Sequence, residues 1–179
     1  MSSDAAIFRH YGVSPWEIEV IFATLRRTFV VQEEELRPDE SDYVSMIEIH
    51  FPFPYGEAFF QQFSMESWFR IKGVLKDVKR RRGRKGLKTY VQFEGVAMSE
   101  RPHVMFPLLS KSDRPYEMGI EKLEYLVDIV PLQLKGLPED ALEVWYSFDE
   151  ASFKWFPGVA SGKDGRKYVF ASEAWRPSA

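Results

Sequence analysis

The densest run of chemically able side chains lies between residues 70 and 88. Ten basic residues stand there, Arg70, Lys72, Lys76, Lys79, Arg80, Arg81, Arg82, Arg84, Lys85 and Lys88, against one acid, Asp77. The window carries +9 in a chain whose net charge is −3, so the remainder carries −12. Cations packed this closely repel one another unless an anion joins them. A phosphate backbone supplies such an anion and releases counterions on binding. Read as strands, 68–79 and 87–98 form a long basic β-hairpin that turns at 79–86. Alternation then sets Trp68, Arg70 and Lys72 beside Lys88, Tyr90 and Gln92 on the outward face. Rings interleaved with cations can stack on bases while the cations hold phosphates.

The leading expectation is therefore a non-enzymatic nucleic-acid-binding protein of weak sequence selectivity, with DNA or RNA undecided. Arg80, Arg81, Arg82, Arg84 and Lys85 are its phosphate contacts, and Trp68 and Tyr90 its stacking rings. The first alternative is a structural or adaptor subunit, in a homo-oligomer or larger assembly, whose hairpin docks on an acidic protein surface. The acidic stretch 33–42 is such a surface, in the same chain or a neighbouring copy. The second alternative is a small-ligand-binding domain with a pocket inside a curved sheet, for instance for a phosphorylated ligand.

Other chemistry finds less support. His10, His50 and His103 lack the close spacing of a zinc motif. Glu48 and His50 share one strand face, which is the spacing of two metal ligands or an acid–base pair, but no third partner can be named. Glu124 and Asp128 read as solvated carboxylates on a strand face. The segment 83–86 lacks the lysine–hydroxyl ending of a phosphate loop, and no nucleophile elbow occurs. The chain has no cysteine, so thiolate metal sites, disulfides and cysteine nucleophiles are excluded. Neither cofactor nor metal is expected. The first residues lack the basic and apolar regions of a signal peptide, and no apolar run is long enough to span a membrane. A cytoplasmic protein without membrane contact is the expectation.

These residues need a frame. A length of 179 residues suits one domain, and an aromatic content of 16% supplies ample core. Ser14-Pro15-Trp16-Glu17 has the capping hydroxyl, early proline and third-position glutamate of a helix start. The apolar spacing of Ile18, Ile21, Leu25 and Phe29 continues it. Strands are expected at 43–51, with Ile47, Ile49 and Phe51 on one face and Met46, Glu48 and His50 on the other. Further strands fall at 123–129, 142–148 and 167–174, the last after the turn Lys163-Asp-Gly-Arg. Residues 57–63 read as a short helix, 99–118 as a proline-bearing loop, and Gly73 as a β-bulge. The aromatic–proline pairs beginning at Phe51, Phe53, Phe106 and Phe156 read as core plugs. The class is α+β: one or two helices on a strongly curved, mostly antiparallel sheet of about six strands, with closure into a partial barrel as the alternative to an open sheet.

Overall fold

The computed structural model describes residues 5–178; Met1 to Asp4, read above for a leader, and Ala179 lie outside them. Within that range the chain is α+β, with five α-helices on one nine-stranded sheet. The strands are β1 (Ala5–Tyr11), β2 (Val30–Glu35), β3 (Ser45–Phe51), β4 (Leu87–Phe93), β5 (His103–Leu108), β6 (Ala141–Asp149), β7 (Lys154–Gly162), β8 (Lys167–Ala171) and β9 (Ala174–Pro177). The helices are α1 (Pro15–Arg26), α2 (Glu57–Phe63), α3 (Met65–Arg82), α4 (Asp113–Lys122) and α5 (Ile129–Gln133). The sheet order is β2-β1-β3-β4-β5-β6-β7-β8-β9, and the sheet does not close.

The topology repeats one unit. β1-α1-β2, β3-α2-α3-β4 and β5-α4-α5-β6 each join two adjacent parallel strands through helices. The three units lie side by side through antiparallel β1–β3 and β4–β5 pairs, and β7 to β9 extend the sheet antiparallel. Every helical crossover returns to the same face. The core therefore joins Phe8, Ile47, Ile49, Phe51, Val91, Phe93 and Phe106 from the strands to Ile21, Phe59, Phe63, Trp68, Leu75, Tyr116 and Ile120 from the helices. The alternate strand residues, Arg9, Met46, Glu48, His50, Lys88, Tyr90, Gln92 and Trp145, are absent from that cluster. They occupy a face that no helix covers.

Where local signals were strong the expectations hold. The Ser14 side chain accepts from Glu17 N and the Glu17 carboxylate accepts from Ser14 N, a complete capping box. β3, β4 and α2 lie within the expected segments, with Ile47, Ile49, Thr89 and Val91 fully buried. Of the core plugs, Phe51 and Phe106 are buried, whereas Phe156 is exposed.

The basic hairpin is corrected to a helix and one strand. Trp68, Ile71, Leu75 and Val78 are buried at three- and four-residue spacing, the period of α3 rather than of a strand. Ser64 caps the start by accepting from Ser67 N. Gly83, at φ +56°, ends the helix, and Lys79 to Arg82 form its last turn, where cations suit the helix dipole. Gly86, at φ +88°, then starts β4 with its backbone against Tyr43. Gly73 is an interior helix position and not a bulge.

Three further corrections bear on the site. Residues 123–129 form a 3-10 turn leading to α5 instead of a strand, and Glu124 is buried. The region 99–118 holds β5 and the start of α4, where Pro115 falls in the first helical turn and costs no hydrogen bond. The acidic stretch 33–42 begins as β2, an edge strand, before becoming a loop.

Candidate functional site

The structure distributes the basic run along one helix and returns most of its charge to the same chain. Eight of the ten cations form ion pairs with eight carboxylates among the described residues. The largest set joins α3 to α4. Asp113, Glu117 and Glu121 recur every four residues on α4 and meet Lys79, Arg80 and Lys76 in turn. Lys72, 4% exposed, donates to Glu121 Oε2 at 3.0 Å and to Glu124 Oε2 at 2.6 Å. Trp68 Nε1 donates to the same Glu124 oxygen at 3.2 Å. Lys79 is fully buried and donates to the Gly83 and Lys111 carbonyls and to Asp113 Oδ1.

A second set joins α3 to α1. Arg81 Nη2 and Arg82 Nη2 each donate to a Glu17 oxygen at 2.7 Å, and Arg82 also reaches Ser45 Oγ and the Gly12 carbonyl. Burial pushes the Glu17 carboxyl upward, but the Ser14 amide and the two guanidiniums outweigh it and hold it below its ordinary value. Arg70 lies 3.8 Å from Glu66 across one helical turn, a weak exposed pair. Arg84 and Lys85 are exposed and form no ion pair or side-chain hydrogen bond among the described residues. Of the two rings expected to stack on bases, Trp68 is fully buried in the core. Tyr90 lies half-buried on the helix-free sheet face, opposite the face that α3 packs on. Trp68 and Tyr90 therefore do not share a surface, and of the basic run only Lys88 lines a cavity with Tyr90.

The side chains that do converge lie on the helix-free face. Strand register sets Arg9, Glu48, Tyr90 and Pro107 in one row across β1, β3, β4 and β5. Tyr11, Met46 and Lys88 form the row below, and Ile7, His50, Gln92, Met105 and Trp145 the row above. The 36–43 loop straps the lower row. Asp39 pairs with Lys88 and accepts from the Tyr11 hydroxyl at 3.1 Å, and Tyr11 Oη also meets Ser41 Oγ. The strap explains why Tyr11, Met46 and Lys88 are buried on a face without helices. Lys88 first and then Ser41 hold the Asp39 carboxyl well below the usual carboxylate range.

Between the strap and the sheet runs a groove of about 480 Å³, lined by Tyr11, Leu36, Arg37, Asp39, Met46, Glu48, Lys88, Tyr90 and Trp145. Arg9, outside the lining, donates from Nη1 to Glu48 Oε2 at 2.9 Å. His50 Nε2 stands 3.5 Å from the same oxygen, too long for a well-formed hydrogen bond. His50 and Arg9 together hold the Glu48 carboxyl below its ordinary value against the effect of burial. Tyr90 and Trp145 make a corner, their ring centroids 6.2 Å apart and their planes at 74°. Trp145 Nε1 donates to Glu143 Oε1 at 2.6 Å, which fixes the indole.

Other cavities offer less. A crevice of about 200 Å³ lies where β5 and β6 end, but its Tyr116 and Tyr146 hydroxyls are already bonded to Thr89 and Gln133. His50 and His103 line a cleft of about 160 Å³ with Gln92 and Glu94. Among the described residues no group of three or more His, Asp or Glu is placed to hold a metal ion. No helix among them is long and apolar enough to cross a membrane.

Sequence reasoning placed Lys88, Tyr90, Glu48 and His50 on the correct strand faces. It missed Arg9, Tyr11, Arg37, Asp39 and Trp145 as members of the same site, because strand neighbours are set by register and not by proximity in the chain. The acid partners of α3 did leave a trace: the four-residue spacing of Asp113, Glu117 and Glu121 matches one helical face. The chain is thus defined by a helix-backed open sheet with a strapped groove on its bare face. No family model, curated protein or solved structure matches it.

Proposed function

We propose that this protein binds a small ligand in the strapped groove on the helix-free face of its sheet. One observation carries the reading: rings, cations and carboxylates from β1, β3, β4, β6 and the strap converge on one cavity of about 480 Å³. Ligand sites are concave, of roughly 300–1,000 Å³, lined by apolar and aromatic groups with a few placed polar ones. Tyr11, Met46, Tyr90 and Trp145 supply the first kind and Arg37, Glu48 and Lys88 the second. The sheet backbone and the Asp39 anchor hold these groups before any ligand arrives, which limits the ordering that binding requires.

A nucleic-acid or assembly role for the basic run has weaker support. The anionic partner that its charge calls for is supplied internally by α4, Glu17 and Asp39. Arg84 and Lys85 remain for an external polyanion.

The test is a screen of small molecules against the isotope-labelled protein by NMR. Hits should shift the Trp145 Nε1–H and the amides of Lys88 and Tyr90, and a Tyr90→Ala/Trp145→Ala double variant should lose them. Hits that cluster elsewhere and persist in the variant would refute the groove as the binding site.

A further inference from the structure

Taking the groove to be a ligand site, we infer that its ligand is a planar ring compound carrying one anionic group, a carboxylate or a phosphate. The ring half of the assignment rests on the Tyr90–Trp145 corner. Trp145 is 40% exposed although its indole N–H is tied to Glu143, so one face of a fixed ring is open to the groove. Two ring planes at 74° give a flat ligand one surface for stacking and one for an edge contact.

The anionic half rests on which charged and polar groups of the groove are left without a partner. Arg37, Lys88, Asp39 and Glu48 line the groove, and Arg9, outside the lining, bonds Glu48. Lys88 is matched by Asp39, and Glu48 by Arg9, which Glu34 engages as well. Arg37 is left over: among the described residues it forms no ion pair and no hydrogen bond, so its guanidinium is the uncommitted cation of the groove lining. The Tyr90 hydroxyl is also without a partner among the described residues. Burial raises its pKa, so it stays protonated and available as a donor. The carboxylates are less available. Asp39 already accepts from Lys88, Tyr11 and Ser41, and Glu48 Oε2 from Arg9. The uncommitted capacity of the groove is thus mainly that of a donor, and it suits an acceptor of negative charge. A guanidinium also takes carboxylate and phosphate oxygens in pairs.

The experiment measures affinity by NMR titration of the full chain with indole-3-carboxylate, phenyl phosphate, the neutral indole-3-carboxamide and the ring-free acetate. Indole-3-carboxylate should bind about tenfold or more tightly than its amide, the worth of one charge-assisted hydrogen bond. Phenyl phosphate binding in the same place would show that the groove takes phosphate as well as carboxylate, and its failure to bind would restrict the anion to carboxylate. Arg37→Gln should erase the preference for acid over amide. Trp145→Ala should weaken both indoles and leave their ratio unchanged. Arg37 and Trp145 are exposed, so both variants should keep the wild-type spectrum outside the groove. Equal binding of acid and amide, or a preference that survives Arg37→Gln, would overturn the anionic assignment while leaving the groove a ligand site. Tight binding of acetate alone would overturn the ring assignment. Failure of every ring probe to shift groove resonances, with hits from the wider screen landing elsewhere, would remove the groove reading itself.

Discussion

Replacing Arg81 and Arg82 together by serine tests whether the basic run is internal architecture or a free surface. Glu17 is 1% exposed, and its carboxylate accepts from both arginines and from the Ser14 amide. Removing the guanidiniums leaves a buried charge with one amide partner. Breaking a buried pair from one side costs about 3–5 kcal/mol. Arg81 is about half exposed, so most of this loss belongs to Arg82, which also holds Ser45 and Gly12. At roughly 2–4 °C per kcal/mol for a chain of this size, the melting temperature should fall by roughly 6–20 °C. Urea unfolding at pH 7 gives the free energy directly. Glu17→Gln should destabilise the wild type yet restore part of the loss in the serine background, since the amide carries no charge to strand. The pH dependence has a fixed sign. The folded pKa of Glu17 lies below its unfolded value of about 4.3, so its contribution is complete above that pH and disappears as pH falls through the folded value. The gap between wild type and Glu17→Gln should therefore close in acid. A melting temperature within about 2 °C of wild type for the serine pair, the range of an ordinary surface change, would refute the reasoning.

Lys72→Met should cost about 3–5 kcal/mol in urea unfolding, because it strands the buried Glu124; adding Glu124→Gln should recover much of that loss. Gly73→Ala should stabilise by about 0.5–1 kcal/mol, since a methyl there meets nothing within 4 Å and the site is interior to α3; destabilisation would contradict the helix. On heparin or an oligonucleotide, two free cations predict a log–log salt slope of about −1.4 to −1.8. Arg84→Ser/Lys85→Ser should abolish that binding at unchanged melting temperature, whereas a slope steeper than about −3 would mean that the paired arginines also engage phosphate.

The sequence alone determined the elements whose signals are local. Ser14, Pro15 and Glu17 specify the start of α1 by a capping box that closes within four residues. The alternation at 45–51 and 87–93 specifies β3 and β4 and the faces of Glu48, His50, Lys88 and Tyr90. The charge asymmetry was equally plain, but its meaning was not. Within 68–79, a strand period set by Trp68, Arg70 and Lys72 competes with a helical period set by Trp68, Ile71, Leu75 and Val78, and only burial chooses between them. Lys72 fits the buried face of α3 because Glu121 and Glu124, about fifty residues further on, accept its charge. The same holds for the groove. Tyr11, Glu48, Tyr90 and Trp145 lie on four strands, and hydrogen-bond register together with the Asp39–Lys88 anchor of the strap brings them to one cavity. Composition gives the sum of the charges, but an ion's partner depends on distances of a few ångströms that the chain sets only when it folds.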